Sequence, residues 1–305
     1  MQLRQIGKSE LNVTPLCLGG NVFGWTIDET RSFEVLDAYV NLGGNFIDTA
    51  DVYSTWGTGN SGGESETILG RWMKARGNRS QIVLATKLGS KMGEGKEGLS
   101  AAYIAQAVEA SLQRLQTDYI DLYQAHIDDA NTPLEETMQA FDALVKAGKV
   151  RVLGSSNYSG ARMTESLAIS KKLHLARYEC TQPLYNLIQR EEYEKDLEPV
   201  LLANQVGCIP YSALASGFLS GKYKTGQPMP NTQRSGGVQQ RYMNEAGFAV
   251  LAHVEMLAQQ LNATPAQIAL AELMARPSIT APIASATSAT QLTELMGALA
   301  VRLPV

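Results

Sequence analysis

The chain has 305 residues, enough for a substantial core, and admits either two average domains or one large α/β barrel. Hydrophobic residues at 44% and charged residues at 18% fit an ordinary soluble enzyme. The net charge of -4 excludes a general binder of nucleic acid or anionic membrane, which needs a basic stripe.

Short apolar runs and helical patterns alternate along the chain. A small strand pair over roughly 2–14 precedes Leu16-Cys17-Leu18, and a helix follows near 29–42. Phe46-Ile47 leads to a helix opening near Glu64, and Ile82-Val83-Leu84-Ala85 to one starting at Ser100, a good N-cap. Tyr119 to Tyr123 leads to a helix with Pro133 near its start, and Val150 to Leu153 to one near 159–172. Tyr178-Glu179-Cys180 leads to a helix near 191–204. Cys208-Ile209 enters a long Gly/Pro-rich segment with helices near 246–261 and 264–275, the second opening with Thr264-Pro265. Ala281 to Ala284 precedes a last helix near 289–300.

Eight consecutive strand–helix units with no composition break are the pattern of a single-domain (β/α)8 TIM barrel over 1–305, with a short N-terminal β-hairpin and extra helices near the C-terminus. A doubly wound sheet is the alternative, but it normally leaves a dinucleotide fingerprint after its first strand, and none follows Leu18. Chemistry in a barrel collects at the carboxyl ends of the strands. Those positions hold Asp48 and Tyr53, Lys87, His126, Ser156-Asn157, Thr181-Gln182 and Tyr211-Ser212.

Three cysteines, Cys17, Cys180 and Cys208, with no CxxC fit a reducing compartment and unpaired thiols. The first residues show no apolar leader pattern, and no run approaches about 18 uncharged apolar residues, so a cytoplasmic protein is expected. Gly57-Thr58-Gly59-Asn60-Ser61-Gly62 satisfies GxGxxG, but it starts several residues after the strand, and the next strand ends on Lys87 instead of an acid. A flexible Gly/Ser-rich loop is the better reading.

Asp48, Tyr53, Lys87 and His126 make chemical sense together. A phenol with an ordinary pKa of about 10 is a poor proton donor near neutrality. An adjacent ammonium stabilises the phenolate, a carboxylate holds that ammonium, and a histidine can orient a substrate oxygen. Singly, Lys87 reads as a solvated strand end, His126 as a hydrogen-bonded core edge and Asp48 as a cap. Four such residues on three adjacent strand ends are a sharper signal than any one. Three histidines, His126, His174 and His253, with no HxH do not suit a metal-dependent barrel hydrolase, and no metal is expected.

Asp48-Thr-Ala-Asp-Val-Tyr53, Gly63-Glu-Ser-Glu66 with Leu69-Gly70, Lys87 and Asp121-Leu-Tyr-Gln-Ala-His126 resemble the aldo-keto reductase superfamily. Gly154-Ser-Ser-Asn-Tyr158, Gln182-Pro-Leu-Tyr-Asn186 and the run Tyr211 to Tyr223 resemble it in the same order, over about residues 3–297. The branch resembled is the bacterial type akin to potassium-channel β subunits. The resemblance implies an oxidoreductase that uses NADPH, or NADH, to reduce aldehydes or ketones reversibly to alcohols. Tyr53 would be the general acid, Lys87 would lower its pKa, Asp48 would pair with Lys87, and His126 would orient the carbonyl. Ser156, Asn157 and Gln182 match positions that hold the nicotinamide carboxamide, and Tyr211 the aromatic that stacks under the ring.

Ser212, Leu214, Ser216, Gly217, Leu219 and Lys222 match the segment over the pyrophosphate, where small residues admit backbone N–H groups. Arg234 falls near the cofactor phosphates or is a solvent-exposed arginine. Ser285, Thr287, Gln291 and Glu294 match the adenosine end. Ser285, Thr287 and Leu295 depart from the usual glycine, cation and asparagine, and a 2′-phosphate wants Arg or Lys. The chain closes on Leu303-Pro304-Val305 with no long substrate loop, so pocket side chains are expected from Phe23, Trp25 and Trp56, with Val22 nearby. Ordinary loop packing is their alternative role. The expected partner is a small carbonyl or alcohol substrate, with no nucleic acid or membrane, and oligomeric state is not legible. A cofactor-binding regulatory or redox-sensing subunit with little turnover is the alternative function.

Overall fold

The structure, a computed structural model, describes every residue except Met1, Thr225, Asn231, Arg234 and Val305. A two-residue antiparallel hairpin, β1 (Arg4–Gln5) and β2 (Asn12–Val13), precedes the barrel. The barrel units follow in order: β3 (Cys17–Gly19) with α1 (Glu29–Asn41), β4 (Phe46–Asp48) with α2 (Glu64–Arg76), and β5 (Val83–Leu88) with α3 (Ala101–Leu115). Next come β6 (Ile120–Ala125) with α4 (Leu134–Lys146), β7 (Val150–Ser156) with α5 (Gly160–Leu173), and β8 (Tyr178–Gln182) with α6 (Glu198–Asn204). After β9 (Gly207–Cys208) stand α7 (Ser235–Tyr242), α8 (Glu245–Gln260) and α9 (Pro265–Met274), and β10 (Ile283–Ala284) leads to α10 (Ala289–Met296).

The eight strands run parallel in the order β10-β3-β4-β5-β6-β7-β8-β9. The ends of that row meet. Thr280 and Ala281 donate their N–H groups to the Cys208 carbonyl at 2.8 and 3.3 Å, and Ile283 donates to Pro210 at 2.9 Å. The ring is therefore a closed (β/α)8 barrel, as the alternation predicts.

Alternate residues of the strands point inward and fill the interior. Cys17, Phe46, Ala85, Leu122, Val152, Cys180, Ile209 and Ile283 form one buried cluster, joined by Ile6, Leu11 and Val13 of the hairpin segment. The hairpin thus covers the amino-terminal mouth, leaving the carboxyl-terminal mouth for the site. Outward residues such as Leu18, Ile47, Leu84 and Leu153 join the larger core beneath the helices. Among the described residues, no helix is long and apolar enough to cross a membrane.

Local chemistry explains most helix starts. The Ser100 side chain accepts from Tyr103 N–H, and Thr264 makes a reciprocal capping box with Gln267 ahead of Pro265. Two segments differ from the sequence reading. The helix expected near 191–204 is interrupted close to its start by a π-helical turn, Tyr193–Leu197, before α6. Pro199 has no N–H to give and its ring crowds the preceding turn, which suits a wider winding there. The Gly/Pro-rich segment also contains a 3-10 turn, Ala215–Ser220, and α7. Phe218, Leu219, Tyr223, Val238 and Tyr242 pack there with Leu251, Val254 and Ile268 as a small separate core.

Candidate active site

Two residues beyond the apolar layer, the inward positions turn polar: Asp48 on β4, Lys87 on β5, Gln124 on β6 and Gln182 on β8. All four are buried. Lys87 Nζ donates to Asp48 Oδ1, Asp48 Oδ2 and the Thr49 carbonyl, each at 2.7 Å, which occupies its three N–H bonds. Asp48 Oδ1 also accepts from Gln182 Nε2 at 2.9 Å and Gln124 Nε2 at 3.4 Å. Burying this ion pair is tolerable because the carboxylate is surrounded by donors.

Tyr53 lies half-buried on the turn after β4. Its Oη donates to Asp48 Oδ2 at 3.2 Å, and Lys87 Nζ sits 4.7 Å from its ring centroid. The aspartate therefore touches both the lysine and the phenol, whereas the sequence reading gave it only the lysine. The turn is tied to the barrel because Thr49 N–H donates to the Ala85 carbonyl and Asp51 N–H to the Lys87 carbonyl. His126 follows β6, with its ring centroid 6.0 Å from that of Tyr53. Burial, then the charge of Lys87, pushes its imidazole down to about 3, so the ring is neutral. Its Nδ1 is buried without a protein partner.

The residues matched to the nicotinamide form one network beside this group. Ser156 Oγ donates to the Gln182 carbonyl at 2.8 Å, and Asn157 Nδ2 donates to Ser156 Oγ at 3.1 Å and to the His126 carbonyl at 2.9 Å. Tyr211 Oη donates to Asn157 Oδ1 at 2.9 Å, which holds that aromatic ring at the rim. Asn157 takes a positive φ of 58°. Gln182 also belongs to the Asp48 network described above.

The following segment turns tightly. Ser212, Ala215, Ser216 and Gly217 all have positive φ, a rare run of left-handed residues of the kind that makes anion-binding concavities. Asn186 Nδ2 braces it by donating to the Ser212 carbonyl at 3.2 Å. A Cβ on Gly217 would lie 3.2 Å from Lys222 Nζ, so the absent side chain leaves room for the ammonium beside the turn. A concave run of small residues with one cation suits a pyrophosphate. Leu219 is wholly buried and Leu214 partly so, and both pack in the small core, so these two support the turn from below.

In the segment matched by resemblance to the adenosine end, Ser285 Oγ donates to Asn21 Oδ1 at 2.6 Å, and Thr287 N–H and Oγ1 both donate to Gln291 Oε1. Glu294 is exposed, and its main-chain carbonyl accepts from Gln267. No lysine or arginine occurs between Ser285 and Leu295. Arg234 lies outside the described residues.

Trp25 and Trp56 meet edge-on at 5.5 Å, and Trp56 is 5.9 Å from Tyr53. Trp56 at 47% and Ile127 at 37% are exposed beside the site, an apolar edge open to solvent. Phe23 departs from the expected pocket wall. It is wholly buried in the main core, where its carbonyl accepts from Ser54 Oγ at 2.7 Å. The GxGxxG stretch is a loop, as read, and Ser61 and Gly62 N–H groups are taken by the Glu64 carboxylate. Among the described residues, no group of three or more His, Cys, Asp or Glu is placed to hold a metal.

Sequence reasoning missed Gln124. Its signal was parity, since it stands two residues after inward-facing Leu122 and pairs in register with Lys87 and with Gly154. A Cβ at Gly154 would come within 2.9 Å of Gln124 Cγ, so the glycine leaves space for that amide.

Residues 15–305 match the Aldo/keto reductase family. The chain is 32% identical over 311 residues to an uncharacterized oxidoreductase, YrpG, of Bacillus subtilis, covering 99% of this chain and 92% of that protein. It is 33% identical over 308 residues to a probable voltage-gated potassium channel subunit beta of Arabidopsis thaliana, covering 98% and 91%. A putative subunit of the same kind from Schizosaccharomyces pombe is 33% identical over 305 residues, covering 95% and 86%. With its closed barrel and polar carboxyl-terminal mouth, the chain belongs to the aldo/keto reductase family, a family of NAD(P)H-dependent oxidoreductases.

Proposed function

We propose that the chain reduces aldehydes or ketones to alcohols, reversibly, with Tyr53 as the proton donor. The observation that carries this reading is the buried Lys87–Asp48 pair with the Tyr53 hydroxyl bonded to the same carboxylate. Bound NAD(P)H supplies the hydride for the carbonyl carbon. Tyr53 gives its proton to the carbonyl oxygen, and the Lys87 ammonium favours the phenolate left behind. Asp48 holds that ammonium in place. His126, neutral, offers an N–H to the same oxygen without adding a second cation. In the oxidative direction Tyr53 takes the proton back.

The left-handed residues Ser212 and Ala215 to Gly217, with Lys222, fit the cofactor pyrophosphate, and Ser156, Asn157, Gln182 and Tyr211 fit its nicotinamide end. NADPH is the cofactor the family resemblance favours. The lack of Lys or Arg between Ser285 and Leu295 supports use of NADH as well, and titration with each dinucleotide by fluorescence measures the ratio. The substrate is a small carbonyl compound or alcohol.

The test is Tyr53→Phe. This variant should keep cofactor affinity and lose reduction by roughly 100-fold or more, the scale of a positioned general acid. Near-normal turnover would remove Tyr53 as donor. The similarity to potassium-channel beta subunits favours a second reading, a regulatory subunit that binds cofactor with little turnover. Steady-state kinetics on a reactive aldehyde separate the two: sustained turnover supports the enzyme, and one slow oxidation per bound cofactor supports the regulator.

A further inference from the structure

Asp51 lies two residues before Tyr53, yet the proposed chemistry does not use it. It is 1% exposed, and neither carboxyl oxygen makes a well-formed hydrogen bond to the protein, the Val52 main-chain N–H being the donor beside it. Its main chain links the two halves of the site: Asp51 N–H donates to the Lys87 carbonyl at 3.1 Å, and the Tyr53 N–H closes the next turn on Ala50 at 3.3 Å.

The charged and titratable groups facing Asp51 are Glu66 from α2, Arg114 and Tyr103 from α3, Lys87 from β5 and Tyr123 from β6. The cations among them are committed elsewhere. Lys87 gives its three N–H bonds to Asp48 and Thr49. Arg114 donates to Glu66 Oε2 at 2.6 Å and to Ser111 Oγ at 3.2 Å. Glu66 receives a second bond from Thr86 Oγ1 at 2.6 Å, so it holds the side-chain donors that Asp51 lacks. A second buried carboxylate beside it, with no side-chain donor and only the Val52 main-chain N–H beside it, would bear most of the cost of lost hydration.

We propose that Asp51 is a neutral carboxylic acid in the folded protein and serves as a proton-linked positioning residue for the Tyr53 turn, a role that rests on the reductase reading only in its link to Tyr53. Burial first, and the Glu66 charge second, push the Asp51 carboxyl up to about 8 from its usual 3.8. If the turn opens to water, the ordinary acidity returns and the proton leaves. The raised value sets the sign: the closed turn has its full advantage below the ordinary carboxylate range and loses it as pH rises through about 8. Between those limits the closing equilibrium falls by about tenfold per pH unit.

The test uses the full chain with carbon-13 labelled aspartate. One aspartyl carboxyl should remain protonated at about pH 6, titrate near 8, and vanish in Asp51→Asn. Hydrogen exchange of residues 49–57, corrected for the intrinsic pH dependence, should accelerate with pH in the native chain and stay flat in Asp51→Asn. Asp51→Ser provides the same assignment if the asparagine variant folds poorly. An Asp51 signal already ionised at about pH 6 would overturn the neutral acid. Equal pH dependence of exchange in the native and variant chains would overturn the positioning role. Neither readout uses turnover, so a titrating Asp51 in a protein without reductase activity would refute the reductase reading alone.

Discussion

Removing the Lys87 side chain as Lys87→Met tests the centre of the site. The ammonium is fully buried and has three acceptors at 2.7 Å, two of them on Asp48. Deleting one member of a buried ion pair costs about 3–5 kcal/mol, because the other charge is stranded. Asp48 would keep Gln182 at 2.9 Å, Tyr53 at 3.2 Å and Gln124 at 3.4 Å, which favours the lower half of that range. The Thr49 carbonyl, buried and bereft of its donor, adds about 1 kcal/mol or more. The expected loss is therefore roughly 4–5 kcal/mol in all. Denaturant unfolding at fixed slope measures it. Lys87→Met with Asp48→Asn should lose less than the sum of the single changes by about 1–3 kcal/mol, since neither charge is left alone. A single-variant cost below about 1 kcal/mol, or strict additivity in the double variant, would refute the stranded-charge account.

Two further outcomes follow from particular contacts. Gly70→Ala should cost about 1–3 kcal/mol in unfolding free energy, because a Cβ there would lie 2.3 Å from the Arg114 carbonyl oxygen and 2.7 Å from the Leu115 carbonyl carbon. Both obstacles are main chain, so α2 and α3 must separate, and an unchanged melting temperature would show that they slide apart freely. His126 ionises near 6.5 when unfolded but stays neutral in the folded protein to about 3. Stability from this residue is whole above about 6.5 and is lost as pH falls toward 3, at no more than ~1.4 kcal/mol per pH unit. His126→Gln should flatten that acid limb in pH-dependent melts, and an unaltered limb would assign the acid sensitivity elsewhere.

Much of this protein was legible in its residue order. The alternation of apolar runs and helical periods predicted eight strands and the barrel, because inward and outward strand faces are both buried and the helices show one apolar stripe. Asp48, Lys87 and His126 could be picked out because a barrel exposes its strand ends at one mouth. Helix α7 was not legible, since Ser235-Gly236-Gly237 is poor helix material and Val238 and Tyr242 are held by packing against Phe218 and Leu251. Phe23 was misplaced for a related reason, because a loop phenylalanine looks the same in sequence whether it lines a pocket or fills a core.

The sequence alone determined that Asp48, Lys87 and His126 stand at the barrel mouth, because strand order and residue parity follow from local patterns. Only the tertiary structure decided how their charges are shared. Gln182 and Gln124 come from distant strands to bond Asp48, and Tyr53 reaches the same carboxylate. Glu66 takes Arg114, while Asp51 is buried with no side-chain donor. These assignments depend on burial and on a limited supply of hydrogen-bond donors, and both are set by which segments the closed barrel brings together.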